Sequence, residues 1–130
     1  MISKNSFKLS IIVPCYNETN TIEKIVSKIL KYLKDFEFTD YEIIIVDDFS
    51  NDGTREKLKK LDLNDNIKVL FHEKNHGKGG AIQTAINHIT GDITIIQDAD
   101  LEYDPSDYRK LLVPFFETDA DVVYGSRFLG

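Results

Sequence analysis

The stretch TIIQDADLE, at residues 94–102, is a short apolar run that ends in three carboxylates at alternate positions. Side chains two residues apart in an extended chain point the same way, so Asp98, Asp100 and Glu102 can converge beyond a strand end. Converging carboxylates repel one another unless a cation compensates their charge, and oxygen ligands of this kind suit Mg²⁺ or Mn²⁺. The stretch therefore predicts a divalent-metal site. The alternative is that Asp98 and Asp100 are turn or cap residues, which are common after strands.

The composition predicts a single globular domain. A length of 130 residues with 42% hydrophobic residues is enough for one core. The net charge of -6 and the scattered basic residues argue against a nucleic-acid surface. Cys15 is the only cysteine, so an internal disulfide is excluded and a reducing, cytoplasmic setting fits. No apolar run approaches the roughly 18 to 20 residues of a membrane span. We expect the chain to be cytoplasmic. For a longer protein that contains this chain, the inner face of the membrane is a further option.

Strands and helices are predicted to alternate along the chain. Apolar runs rich in β-branched residues predict strands at residues 9–13, 41–46, 67–71, 93–97 and 121–124. Helical periodicity predicts helices after an N-cap at Asn20, near residues 53–62, at 81–89 with Gly91 at the C′ position, and after Asp104 with an interruption at Pro114. This alternation favours right-handed βαβ units. The predicted fold class is α/β, a three-layer Rossmann-like parallel sheet at residues 9–130 after a polar tail at 1–8.

Polar loops follow three of the predicted strands, at residues 14–20, 47–53 and 98–104. They share the carboxyl edge of the sheet, where ligands bind in open α/β folds. The Tyr16 ring suits a planar base, while Glu18 and Asp48 are acceptors suited to ribose hydroxyls or a base edge. The alternatives are local capping for Glu18 and Asp48 and core packing for Tyr16.

The stretch NHGKGG, at residues 75–80, predicts a glycine-rich loop before a helix. Lys78 in this loop can meet a phosphate with help from the helix N-terminus. The stretch is not a P-loop, because Gly79 follows the lysine where that motif needs Ser or Thr. A flexible exposed turn is the alternative interpretation.

These motifs resemble the ordered signatures of family 2 glycosyltransferases of GT-A fold, with the closest likeness to polyprenyl-phosphate (dolichol-phosphate-type) mannose or glucose synthases. The motifs are IIVPCYNE at 11–18, IIVDDFSNDGT at 44–54, NHGKG at 75–79, DADLE at 98–102 and GSR at 125–127. The resemblance implies that residues 9–130 are a GT-A nucleotide-sugar-binding domain. Because the resembling domain normally runs on well past residue 130, we expect the chain to be truncated at its C-terminal side.

The resemblance also implies a role for each matched position. Together with Lys78 from the glycine-rich loop, the nucleotide-binding residues would be Pro14, Tyr16, Glu18, Val46, Asp48, Asp98 and Ala99. The ligands of Mg²⁺ or Mn²⁺ on the donor diphosphate would be Asp98, Asp100 and Glu102. Asp100 and Arg127 would be catalytic, with Arg127 facing the donor or acceptor phosphate. Phe49 stands where this family commonly has glycine in its Asp-Asp-Gly-Ser turn.

The function expected from the resemblance is inverting, metal-dependent transfer from a UDP- or GDP-sugar to a polyprenyl phosphate or a glycan hydroxyl. The chain alone is expected to be weakly active or inactive, and a non-catalytic nucleotide-sugar-binding fragment is the alternative. A phosphoacceptor receiver domain fits less well, since its paired acids would follow the first strand and a lysine would end the fifth. A sugar-1-phosphate nucleotidyltransferase would need a glycine-rich basic loop after the first strand, where this chain has PCYNE.

Overall fold

The computed structural model describes residues 8–35, 40–99 and 122–125. The described strands are β1 (Leu9–Cys15), β2 (Tyr41–Asp47), β3 (Ile67–Phe71), β4 (Ile93–Gln97) and β5 (Val122–Gly125). The described helices are α1 (Ile22–Asp35), α2 (Thr54–Leu61) and α3 (Gly77–Ile86). All strand pairs are parallel, in the order β3-β2-β1-β4-β5. The predicted parallel α/β sheet is confirmed.

Alternate residues of each inner strand pack against opposite layers of helices. Ile11 and Val13 of β1 belong to a core that includes residues of α1 and α2. Ile12 lies between them in sequence and packs instead with Ala81 and Ala85 of α3. Because side chains alternate across a strand, one apolar run supplies both faces of the sheet. The helices therefore cover both faces, which confirms the three-layer, Rossmann-like prediction.

Strand β1 continues through Pro14, although the sequence predicted that it would end at Val13. The Asp48 N–H donates to the Cys15 carbonyl at 2.8 Å, so the polar groups of Cys15 face β2. The backbone polar groups of Pro14 face the opposite neighbour, β4, and the pairing of β1 with β4 has already ended at Ile12. The missing N–H of proline thus removes no bond from the ladder, which is why the strand tolerates it.

Helix α3 begins earlier and ends earlier than its pattern predicted. The predicted glycine-rich loop forms its first turn from Gly77, and the helix stops at Ile86. Ile89 extended the apolar pattern because it packs on the same core from beyond the helix end. Gly91 is therefore not a C′ residue. Its N–H donates to Ser10 Oγ at 2.9 Å, and a Cβ there would collide with β1.

Several features lie outside the described residues. These are the predicted helix after Asp104, its interruption at Pro114 and most of the polar tail. Among the helices that the structure does describe, none is long and apolar enough to cross a bilayer.

Candidate functional site

The loops at the carboxyl ends of β1, β2 and β4 surround a cavity of about 280 Å³. Its wall consists of Pro14, Cys15, Tyr16, Glu18, Asp48, Lys78, Ala81, Asp98 and Ala99. All the predicted nucleotide-binding residues except Val46 are in this set. The topology therefore brings together side chains from four separate stretches of the sequence, as parallel strands in a doubly wound sheet do at this edge.

The loop after β1 is fastened to the loop after β2. The Asn17 N–H donates to Ser50 Oγ at 2.8 Å, and the Asn51 N–H donates to Asn17 Oδ1 at 2.9 Å. Asn17 itself adopts a positive φ of 52°, which asparagine tolerates better than most residues. This conformation leaves Tyr16 48% exposed at the cavity, so the alternative of core packing for Tyr16 is wrong.

Glu18 combines a capping contact with a place on the cavity wall. Its carbonyl accepts from the Ile22 N–H at 2.9 Å, where α1 begins. Its carboxylate lies 2.8 Å from Thr21 Oγ1, which is also 2.6 Å from the Ala99 carbonyl. Helix α1 begins at Ile22, so its N-cap position is Thr21, one residue after the predicted Asn20. Local capping and ligand binding are thus compatible at Glu18.

Asp48 is the most tightly held carboxylate of the site. It is 3% exposed and accepts from His72 Nδ1 at 2.9 Å and from the backbone N–H groups of His76 and Gly77 at 2.7 and 2.8 Å. Burial opposes ionisation of Asp48, but these hydrogen bonds outweigh it and lower the pKa of the carboxyl. His76, at the N-cap of α3, makes no side-chain capping bond, so Asp48 serves this helix end from another strand.

Lys78 and Asp98, which both line the cavity, form an ion pair. Lys78 Nζ lies 2.5 Å from Asp98 Oδ1, and the two side chains are 47% and 13% exposed. The negative charge of the Asp98 carboxylate, at the end of β4, is therefore balanced by the Lys78 ammonium group. Residues 8–35 and 40–99 contain no group of three metal-binding side chains. Asp100, Glu102 and Arg127, the other predicted metal and catalytic residues, lie outside the described residues.

Val46 was predicted at the nucleotide site but lies in the core instead. Val46 is fully buried in the core beneath α3 and does not line the cavity, whereas Cys15 and Ala81 do. Strand alternation explains this, because Val46 lies two residues after Ile44 and shares its face. Burial, helped by the charge of Asp47, raises the pKa of the Cys15 thiol far above its usual range. Cys15 therefore stays protonated at neutral pH, in the form in which a thiol is a poor nucleophile.

The turn after β2 keeps a glycine-like conformation although it carries phenylalanine. Phe49 has a φ of 69° and is 46% exposed. The Arg55 guanidinium lies 5.8 Å from the Phe49 ring centroid and 4.9 Å from that of Phe71. Arg55 Nε is also 3.1 Å from Asp47 Oδ2, which accepts from the Ser50 N–H at 3.1 Å. These contacts hold the turn that presents Asp48 to the cavity.

Comparisons with known proteins found a matching family and solved structures of similar fold. The sequence profile described as glycosyl transferase family 2 matches residues 10–130. A dolichol-phosphate mannosyltransferase from Pyrococcus furiosus is 34% identical over 122 residues, which are 94% of this chain and 34% of that protein. The structure of mannosyltransferase PcManGT from Pyrobaculum calidifontis, in complex with GDP-Man and Mn²⁺, has a TM-score of 0.64 and 30% identity over 78% of this chain and 30% of that one.

A second solved structure gives a similar result with a different nucleotide. S. aureus TarS 1-349 in complex with UDP-GlcNAc has a TM-score of 0.68 and 29% identity, covering 85% of this chain and 31% of that one. The chain thus spans about a third of the length of each protein that it matches here.

Proposed function

The chain belongs to glycosyl transferase family 2, and from this membership we propose that it is the donor-binding part of an enzyme that transfers a sugar from a UDP- or GDP-sugar. One observation carries the proposal: acceptors and a cation from separate loops converge on one cavity at the carboxyl edge of the sheet. These residues are Tyr16, Glu18, Asp48, Lys78 and Asp98.

The nucleoside is proposed to lie against the β1 and β2 loops. The exposed ring of Tyr16 offers a flat apolar surface for a base. Glu18 and Asp48 offer carboxylate oxygens to N–H and O–H donors of the base and ribose. Lys78, in the first turn of α3, offers its ammonium group to the diphosphate.

A divalent ion, Mg²⁺ or Mn²⁺, is proposed to complete the donor site. Asp98 supports this, because its carboxylate borders the cavity and already pairs with a cation, Lys78. Asp98, Asp100 and Glu102 would hold the ion, and their hard oxygen ligands suit either metal. When bound, such an ion stabilises the negative charge that grows on a departing diphosphate.

The proposed reaction is a direct displacement that inverts the anomeric carbon. An acceptor oxygen forms a bond to that carbon while the bond from the carbon to the diphosphate oxygen breaks. The bonding electron pair stays on that oxygen, and the nucleoside diphosphate leaves. Arg127 would balance the charge of the donor or acceptor phosphate, and Asp100 would act through the metal.

We propose a polyprenyl phosphate as the acceptor. A phosphate oxygen is already ionised near neutral pH, so the chain needs no general base for it. A glycan hydroxyl would need a carboxylate base. The name of the Pyrococcus furiosus relative, dolichol-phosphate mannosyltransferase, also favours a lipid phosphate. We propose that a longer protein containing this chain works at the cytoplasmic face of a membrane, where such an acceptor would be bound.

Calorimetric titration tests the proposal directly. UDP and GDP are titrated into the full 130-residue chain with and without Mn²⁺, and the titrations are repeated on Asp98→Asn and Asp100→Asn. We expect one nucleotide to bind only with Mn²⁺, and this dependence to disappear in both variants. Asp65→Asn, at an exposed loop position, is the matched control and should bind as the original chain does. Metal-independent binding, or binding of neither nucleotide, would refute the proposal.

A second proposal is that the isolated polypeptide only binds the donor. Because it covers about a third of the length of its relatives, it can bind a sugar nucleotide without transferring the sugar. A radiolabelled UDP- or GDP-sugar incubated with polyprenyl phosphate vesicles separates binding from transfer.

A further inference from the structure

His72 lies just after β3, in contact with Asp48 on one side and with α3 on the other. Its Nδ1 is 2.9 Å from Asp48 Oδ1, its Nε2 is 2.8 Å from Thr84 Oγ1, and its side chain is 11% exposed. No motif in the sequence singled this residue out. Nothing in the proposed donor site so far uses it.

The two partners fix which ring nitrogen of His72 carries a proton. The Thr84 hydroxyl can donate or accept, and it also has the Gly80 carbonyl within 3.0 Å as an alternative acceptor. The ionised carboxylate of Asp48 can only accept. Nδ1 therefore donates its N–H to Asp48, and Thr84 adapts to whichever state Nε2 adopts.

This contact determines how many acceptor positions Asp48 has left. A carboxylate offers about four, two on each oxygen. Oδ1 accepts from His72 Nδ1 and from the His76 N–H, so both of its positions are taken. Oδ2 accepts from the Gly77 N–H, which leaves one position on that oxygen. Asp48 lines the cavity, so this remaining position is the one that a ligand can use.

We propose that His72 is a positioning residue that leaves Asp48 a single acceptor for the base, and that the donor is therefore a uridine nucleotide. The inference rests on the proposed function, in which Asp48 meets the nucleoside. Uracil presents one N–H, at N3, between two carbonyl groups. Guanine presents N1–H and the N2 amino group side by side, and Asp48 with a single free acceptor can pair with only one of these two donors.

A purely structural role for His72 is the competing explanation, in which the residue only joins the end of β3 to α3. Such a role would change the stability of the chain and the affinity for both nucleotides together. It would not change the ratio of the two affinities. The ratio of UDP to GDP affinity is therefore the measurement that separates the explanations.

The test compares UDP and GDP binding, with Mn²⁺, for the full chain and two variants. The original chain is expected to bind UDP at least about tenfold more tightly than GDP. His72→Leu removes the donor at similar size, so UDP binding should weaken about tenfold and the ratio should fall to about one. His72→Asn places an amide N–H where Nδ1 was, and it should rescue the preference for UDP.

A second measurement does not depend on any nucleotide. Nitrogen-15 NMR of the original chain is expected to show a proton on Nδ1 of His72, with a shift that changes in Asp48→Asn. An unprotonated Nδ1 would refute the positioning contact. Tighter or equal binding of GDP, or an unchanged ratio in His72→Leu, would overturn the inference while leaving the proposed function intact. Binding of neither nucleotide would instead overturn the proposed function, and this inference with it.

Discussion

Phe49 occupies a backbone conformation, with a φ of 69°, in which a side chain crowds the following carbonyl oxygen. Its neighbours account for its persistence. Asp47 on one side is tied to Arg55 and to the Ser50 N–H, so the turn is held from both ends. The cation–π contact between the Arg55 guanidinium and the Phe49 ring offsets part of this backbone strain. The conformation is thus set by the contacts around the turn rather than by the residue in it.

Substitution at Phe49 should reverse the usual order of alanine and glycine. Left-handed backbone costs a residue with a Cβ about 1–2 kcal/mol, while glycine loses about 0.5–1 kcal/mol more chain entropy on folding. We expect Phe49→Gly to be more stable than Phe49→Ala by about 0.5–1 kcal/mol. Urea unfolding of both variants measures this difference.

The same pair of substitutions at Lys59 serves as the control, because Lys59 is an exposed residue of α2. There alanine should be the more stable by about 1 kcal/mol. An alanine variant at Phe49 that is as stable as the glycine variant would show that the turn relaxes when the ring is removed.

At the level of the elements, the strands were predictable and the start of one helix was not. The strands follow from apolar runs that are buried on both faces, a property that each run carries within itself. Helix α3 opens with Gly77, Lys78, Gly79 and Gly80, so its start has little intrinsic helix propensity. The N–H groups at its start are bound by Asp48, which directly follows β2 and is almost thirty residues away in sequence. Local sequence contains no record of such a contact, which explains the error in the start of the helix.

Two glycines that look alike in sequence should respond oppositely to alanine. A Cβ at Gly79 meets nothing within 4 Å, so Gly79→Ala should stabilise α3 by about 0.5–1 kcal/mol. A Cβ at Gly91 would lie 2.9 Å from the Lys8 carbonyl and would also clash with the Ser10 side chain. Gly91→Ala should therefore destabilise the chain by about 1–3 kcal/mol. Thermal unfolding of the two variants measures both effects, and equal shifts would contradict the packing described at β1.

At the level of the whole molecule, the position of the site was predictable but its internal contacts were not. Parallel topology alone places the loops after β1, β2 and β4 at one edge, and the motifs supplied most of the side chains there. The contact between His72 and Asp48 joins residues that are 24 apart, with no shared motif. Val46 was expected at the site, and its place in the core follows only once the register of β2 is known. The order of the elements in the sequence thus predicts the sheet edge where the site lies, whereas the contacts within the site follow only from the folded structure.

Because the chain is acidic overall, ligand binding should be sensitive to the loss of the positive charge of Lys78. The chain has a net charge of -6, so an anionic nucleotide is attracted only where local cations outweigh the acids. Lys78 pairs with Asp98, so in the proposed site it would compete with a metal ion for that carboxylate when no nucleotide is bound.

Lys78→Met should therefore bind Mn²⁺ alone more tightly and UDP with Mn²⁺ about tenfold more weakly, because a charge-assisted contact to the diphosphate is lost. Calorimetry with Mn²⁺ alone and then with UDP measures the two effects separately. Lys74→Met, at an exposed position before α3, removes the same charge from the chain and should change neither affinity by more than about twofold. If both lysine variants weaken UDP binding equally, the overall charge and not the contact at Asp98 governs the site.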